Sequence, residues 1–196
     1  MTNIAIFASG NGSKAENIVN YFTSHEDINI ALIISNRPNA YVHERANKLN
    51  ISSYTYNKND FGSGTDILKK MAEHEIGFIV LAGFLLKVPQ SIMDAFPNRI
   101  INIHPALLPK YGGKGMYGDN VHNSVKNAGE IETGITIHYI NENYDEGDII
   151  FQAKCNVLSS DTALDIANKV QTLEQIHFPK IIEETVRKNL KNIPKY

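Results

Sequence analysis

Cysteine is nearly missing from this 196-residue chain: Cys155 stands alone, so no internal disulfide can form and a reducing, cytoplasmic setting is expected. A basic excess is missing too. With 19 Lys and Arg against 21 Asp and Glu, the formal net charge is −2, which argues against a nucleic-acid partner. No hydrophobic run is long enough for a bilayer: the longest, residues 76–86, holds two glycines and stops at Lys87, where a spanning helix needs about 20 residues. The first residues lack the basic stretch and apolar core of a signal peptide, because residues 4–8 read as a strand. Repeats, low-complexity tracts and linkers are also absent. At 42% hydrophobic and 20% charged residues, the chain is neither disordered nor fibrous. A chain of this length buries roughly 70% of its unfolded surface, and a single domain over 1–196 is expected.

What is present is an alternation of β-branched runs and amphipathic stretches. Residues 3–8 are almost continuously apolar and end at Ser9-Gly10-Asn11-Gly12, the pattern of a strand buried on both faces. A helix is predicted over 13–22, with Ala15, Ile18, Val19 and Phe22 on one face. Then come a strand over 28–35, a helix over 41–48, a strand over 52–56 and a helix over 66–75. A strand over 77–82, a short helix over 89–95 and a strand over 99–103 follow. This order implies right-handed crossovers and a doubly wound parallel sheet. The last third differs: strands over 135–140 and 148–157, joined by a turn-rich link, read as an antiparallel pair. A long helix from 161 to about 187 is predicted to turn Leu164, Ala167, Val170, Leu173 and Ile176 inward and to kink at Pro179. The expected fold class is α/β, a doubly wound and mostly parallel sheet with an antiparallel C-terminal strand pair and a long C-terminal helix.

Three segments can carry chemistry. Ser9–Ser13 lies between a buried strand and a helix start, where free N–H groups and the helix dipole favour a phosphate and glycines allow close approach. It is not the dinucleotide spacing, since Ala15 takes the third glycine's place, and it reads equally well as a plain tight turn. Asn102 and His104 share a strand face at the carboxyl end of the fifth strand, the edge where open α/β sheets bind ligands. An amide donor beside an imidazole suits acyl transfer, which needs a donor for the developing oxyanion and a group to handle the amine's proton; a structural histidine is the competing reading. Finally, Asp145, Glu146 and Asp148 crowd one link. They form either a solvated turn or a carboxylate that reaches an imidazole, and spacing does not say which acid would do so. His25, His43 and His74 read as surface residues, His177 as partly packed near Pro179, His138 as a strand residue on the face of Thr136, and His122 as lying near a helix start. No histidine pair has zinc-ligand spacing and no metal is expected. The Gly-x-Ser-x-Gly elbow of serine hydrolases is absent.

Taken in order, Ser-Gly-Asn-Gly-Ser at 9–13, Val-Leu-Ala-Gly-Phe at 80–84, Asn-Ile-His-Pro-Ala-Leu-Leu-Pro-Lys-Tyr at 102–111 and Thr-Gly-Ile-Thr-Ile-His-Tyr at 133–139 resemble the glycinamide ribonucleotide transformylase family of formyl-folate enzymes. Asp145-Glu-Gly, Ile150-Phe-Gln-Ala and Val170-Gln-Thr-Leu-Glu174 continue the resemblance, which runs from residue 3 to about 183. It implies formyl transfer from 10-formyltetrahydrofolate, as co-substrate, to glycinamide ribonucleotide in purine synthesis, without a metal. It further implies Asn102, His104 and Asp145 as catalytic residues, with Gly12, Ser13 and Lys14 at the nucleotide phosphate and Gln171, Thr172, Leu173 and Glu174 at the nucleotide. Leu85, Leu86, Lys87 and Val88, together with Asn141, Glu142, Asn143, Tyr144 and Asp145 and with Asn102, would hold the folate. On this pattern residues 1–100 form a nucleotide-binding half and 101–196 a catalytic and folate-binding half. Relatives carry arginines where this chain has Gly64 and Leu86, and the glycine-rich stretch 111–118 belongs to a longer segment here.

The competing functions are a formyltetrahydrofolate deformylase, which resembles this chain only after an added N-terminal regulatory domain, and a methionyl-tRNA formyltransferase, which needs a basic C-terminal RNA-binding domain. A non-catalytic phosphate-binding regulator would keep Ser9–Ser13 but has no use for Asn102, His104 and Asp145 together. The expected partners are small molecules, with the chain a monomer or a homodimer and neither nucleic acid nor membrane involved.

Overall fold

The structure, a computed structural model, describes residues 1–191. In chain order the elements are β1 (Thr2–Phe7), α1 (Ser13–Phe22), β2 (Ile28–Ser35), α2 (Val42–Lys48), β3 (Ser52–Thr55), α3 (Lys58–Ser63) and α4 (Thr65–Glu73). They continue with β4 (Ile76–Leu81), α5 (Gln90–Ala95), β5 (Ile100–His104), α6 (Asp119–Asn127), β6 (Glu132–Tyr139), β7 (Ile149–Asn156) and α7 (Ala163–Lys191). Strand order in the sheet is β3-β2-β1-β4-β5-β6-β7. The pairs β1–β2, β1–β4 and β2–β3 are parallel, and β6–β7 is antiparallel with Thr136 opposite Gln152. This is the expected α/β class. Among the described residues no helix is long and apolar enough to cross a membrane.

The chain divides into two compact units, Met1–Ile101 with the stretch from Ile182 onward, and Asn102–Ile181. In the first, β1 lies between β2 and β4, and Ile4, Ala5, Ile6 and Phe7 are buried on both of its faces. Each such side chain contributes roughly 1.5–3 kcal/mol of transfer free energy if it is Ile or Phe, so this strand has one register. Ala15, Ile18, Val19 and Phe22 of α1 are buried, as the helical spacing requires. Because β1 and β4 run parallel, the segments after them, 8–12 and 82–89, leave the sheet at the same edge. Helix α3 was not expected. It is only six residues long and buries only Phe61, so it offers no hydrophobic period, yet its capping box, Asn57 with Asp60, is a local signal that the sequence carries.

In the second unit, β7 ends the sheet order and its residues alternate between exposed and half-buried, as an edge strand does. Helix α7 corrects the expected inward stripe. Leu164 is 69% and Ile176 48% exposed, while Ile166, Val170, Glu174 and Phe178 are buried. A buried glutamate stands in the core-facing row, so apolar periodicity alone misaligns the face. Helical structure continues through Pro179. The surface histidines are also corrected: His25 stacks on Tyr21 and lies 3.5 Å from Glu183 Oε2, and His43 bridges the hydroxyls of Ser53 and Thr55. His74 is half-buried with its ring against Tyr54.

Candidate active site

Strand β5 ends in Asn102-Ile103-His104, and the side chains of Asn102 and His104 approach one carboxylate. His104 is 3% exposed, and its Nδ1 lies 3.4 Å from Asp145 Oδ2. Two residues earlier, on the same face, Asn102 Nδ2 lies 3.5 Å from Asp145 Oδ1. Of the three acids in the link, Asp145 is therefore the one that reaches the imidazole; Glu146 instead accepts a hydrogen bond from Asn143 Nδ2 at 2.8 Å. Asp145 adopts a left-handed backbone, φ 58°, which aspartate tolerates better than most residues. Its Oδ2 also accepts the Gly113 N–H at 2.9 Å.

Spacing alone did not reveal the part played by His138. It is 1% exposed, and its Nδ1 donates to the Tyr139 carbonyl at 2.8 Å. Its Nε2 faces Asn102 Nδ2 at 3.2 Å and Asp145 Oδ1 at 3.6 Å. These two neighbours make opposite demands. The amide N–H needs a lone pair, whereas the carboxylate needs a proton. The available signal was the strand period, which puts His138 on the face of Thr136.

Burial pushes the Asp145 carboxyl up, but the His138 ring, the His104 charge and the Gly113 N–H together outweigh it, and the pKa falls below the ordinary 3.8. Asp145 is thus held as a carboxylate. His104 Nε2 donates to the Tyr111 carbonyl at 2.7 Å, since a carbonyl oxygen can only accept. Its Nδ1 faces the ionised carboxylate and is placed to donate to it. The loop before this histidine's partners is fixed by Thr136, whose Oγ1 donates to the Ala106 carbonyl at 2.7 Å and accepts the Leu108 N–H at 3.0 Å.

The other expected binding residues divide between the two units. In the first unit, Gly12 caps α1 in the left-handed conformation, φ 78°, and a Cβ there would lie 2.5 Å from Val42 Cγ2 and 2.8 Å from Val42 Cα. Ser13 and Lys14 open the helix and are half-buried. Arg45 of α2 holds this loop by donating to the Asn11 carbonyl at 2.9 Å and to Asn11 Oδ1 at 2.8 Å, and it pairs with Glu16. Ser9 Oγ donates to Asn36 Oδ1 at 2.6 Å and accepts the Leu85 N–H at 2.9 Å, tying residues 9 and 85 together. Leu86 is half-buried, Lys87 exposed and Val88 buried; Gly64 is the left-handed C-cap of α3. In the second unit, Gln171 and Thr172 are exposed, Leu173 is half-buried and Glu174 is 5% exposed. Asn141, Glu142, Asn143 and Tyr144 form an exposed turn in which the Asn143 N–H donates to Asn141 Oδ1 at 2.9 Å.

Residues 2–182 match the family model described as formyl transferase. Over 194 residues the chain is 33% identical to the phosphoribosylglycinamide formyltransferase of Bacillus subtilis (strain 168), which covers 96% of this chain and 97% of that one. The chloroplastic phosphoribosylglycinamide formyltransferase of Arabidopsis thaliana is 33% identical over 195 residues; the match takes in 96% of this chain and 66% of the relative's length. The solved structure of phosphoribosylglycinamide formyltransferase from Bacillus halodurans is similar with a TM-score of 0.86 at 30% identity, covering 96% of this chain and 97% of that one.

Proposed function

We propose that this chain, which belongs to the formyl transferase family, is a phosphoribosylglycinamide formyltransferase that moves a formyl group from 10-formyltetrahydrofolate to the amino group of glycinamide ribonucleotide in purine biosynthesis. The observation that carries this reading is the convergence of Asn102 Nδ2, His104 Nδ1 and His138 Nε2 on the Asp145 carboxylate, each within 3.6 Å of one of its oxygens. In the reaction the amine attacks the formyl carbon and charge develops on the formyl oxygen. The carbon–nitrogen bond to the folate then breaks, and the proton shed by the attacking nitrogen ends on the folate nitrogen. Asn102 donates a hydrogen bond to the charged oxygen, and the imidazolium of His104 lowers the energy of that charge. Asp145 keeps His104 charged and oriented, and holds the water that carries the proton. The chemistry asks for positioning and electrostatics, and no metal enters it.

Gly12, Ser13 and Lys14 are assigned to the nucleotide phosphate, supported by their place at the α1 start, where the helix dipole favours an anion, and by the charge of Lys14. Gln171, Thr172, Leu173 and Glu174 are assigned to the rest of the nucleotide. For the folate, Leu85 at 37% and Tyr144 at 44% exposure each offer apolar surface of the kind a pterin ring covers. Leu86 and Val88 stand beside Leu85; Asn141, Glu142 and Asn143 stand beside Tyr144. Lys87 supplies only a screened, flexible charge to the folate's carboxylates, because Gly64 and Leu86 are uncharged. We place the enzyme in the cytoplasm, as a monomer or homodimer acting on small molecules, with 1–196 as one formyltransferase domain.

The test is loss of the formyl donor followed by absorbance with and without glycinamide ribonucleotide. Turnover is expected to depend strictly on the nucleotide; equal consumption without it would identify a deformylase. A second expectation concerns the phosphate loop. Gly12→Val should raise the nucleotide KM about 5–20-fold and leave the folate KM nearly unchanged, because the new side chain drives into Val42 and displaces the α1 start. An unchanged nucleotide KM in folded protein would make the loop a plain turn.

A further inference from the structure

The glycine-rich stretch at 111–118 is assigned to neither substrate, yet its first three residues touch both members of the His104–Asp145 pair. The Tyr111 carbonyl accepts from His104 Nε2 at 2.7 Å, and the Gly113 N–H donates to Asp145 Oδ2 at 2.9 Å. The same Oδ2 lies 3.4 Å from His104 Nδ1, so backbone and side chains close a ring around the pair. We propose that the backbone of Tyr111-Gly112-Gly113 is a clamp that holds His104 and Asp145 in register, and that Gly112 is a positioning residue because the clamp closes only over a residue without a Cβ. This inference rests on the assignment of His104 and Asp145 to catalysis.

The close approach is specific to Gly112. A Cβ there would lie 2.6 Å from Leu108 Cδ2, 3.3 Å from Asp145 Cβ and 3.6 Å from the Pro109 carbonyl oxygen. Its φ is not among the positive values, so alanine is permitted by the backbone and the obstruction is purely steric. The turn is bracketed by left-handed residues, Tyr111 at φ 58° and Gly113 at φ 92°, and it faces Asp145 at φ 58°. Two non-glycine residues are therefore held in a disfavoured conformation where they meet the imidazole, the arrangement that persists only when surrounding contacts enforce it.

Both limbs of the clamp are tied down. On one side the Tyr111 hydroxyl donates to Glu130 Oε1 at 2.9 Å. On the other, the Leu108 N–H is bonded to Thr136 and its carbonyl accepts from Gln152 Nε2 at 3.0 Å. Leu108 is 6% exposed, so its side chain has little room to turn aside. An added methyl at 112 is therefore relieved by lifting residues 111–113 off Asp145, which lengthens both backbone contacts at once.

The experiment compares Gly112→Ala, Leu108→Ala and the double variant by steady-state kinetics and thermal melting. Gly112→Ala is expected to lower kcat about 5–20-fold with both KM values within twofold, while the double variant regains most of the loss because removing Leu108 Cδ2 frees the space. Leu108→Ala alone should stay within threefold of the parent kcat. A normal kcat in folded Gly112→Ala, a loss that the double variant does not relieve, or a rise in either KM comparable to the kcat loss overturns the clamp. Should Gly112→Ala fail to fold, the Gly113 amide decides. In the parent protein labelled with [15N]glycine its proton resonance should lie downfield and move upfield in Asp145→Asn; no movement overturns the proposal. His104→Ala separates the two ideas. Retained activity there removes the catalytic assignment, whereas an inactive His104→Ala beside a normal Gly112→Ala removes the clamp alone.

Discussion

Replacing His104 by alanine is expected to lower turnover by about 10²–10⁴, the usual worth of a positioned acid–base group, with the fold intact. The ring is nearly buried, and it joins the Tyr111 carbonyl to the Asp145 carboxylate. Its removal takes the positive charge from the place where negative charge develops. Asp145 still keeps the Gly113 N–H and the neighbouring His138, so it is not stranded, and the stability loss should be about 1–3 kcal/mol. The informative control is His138→Ala. That variant removes the partner of the Asn102 amide but leaves the His104 ring in place. Single-turnover rates on folded proteins should therefore rank His104→Ala well below His138→Ala. The reverse ranking would move the central role to His138 and overturn the assignment.

The difference between those two histidines also marks how far the sequence could be read. Asn102 and His104 were legible because a two-residue strand period and the carboxyl end of a parallel strand are local facts. His138 was not, because its nearness to Asn102 requires β6 to lie beside β5, a pairing made across 36 positions of chain. Asp145 could not be told from Glu146 and Asp148 without the resemblance, since what aims it is a left-handed backbone at a non-glycine residue. The same logic holds for the fold. Helix α1 and strand β2 have the bounds that sequence predicts, because each is an apolar pattern with polar or glycine-rich flanks. Helix α3 escaped because capping, not hydrophobic period, defines it. The α7 stripe was misjudged because Glu174 stands where an apolar residue was expected.

Asp145→Asn should lower kcat by about 10–10²-fold while both KM values change little, and it should do so through charge more than shape. The asparagine can keep its oxygen on the Gly113 N–H and turn its amide toward His138 Nε2, giving up the long contact from Asn102 Nδ2 but keeping the others. The negative charge next to His104 is not replaced. A hydrogen bond to a charged group is worth about 1.5–3 kcal/mol, and each 1.4 kcal/mol is a factor of ten, which gives that range. The pH dependence follows with a definite sign. An adjacent carboxylate favours the imidazolium; without it His104 gives up its proton at lower pH, so the limb on which kcat falls with rising pH moves to lower pH. Stability behaves differently. The Asp145 pKa is depressed in the folded protein, so its stabilising contribution is present above the unfolded value near 3.8 and is lost as pH falls through the folded value. The parent should therefore exceed Asp145→Asn in denaturant midpoint at neutral pH, with the gap closing only in acid below that value. Rate profiles and denaturant titrations across pH 3–9 on both proteins check the two signs. A variant with parental kcat and an unmoved limb would mean that Asp145 orients nothing that matters to the reaction, and His104 would have to act without a charged partner.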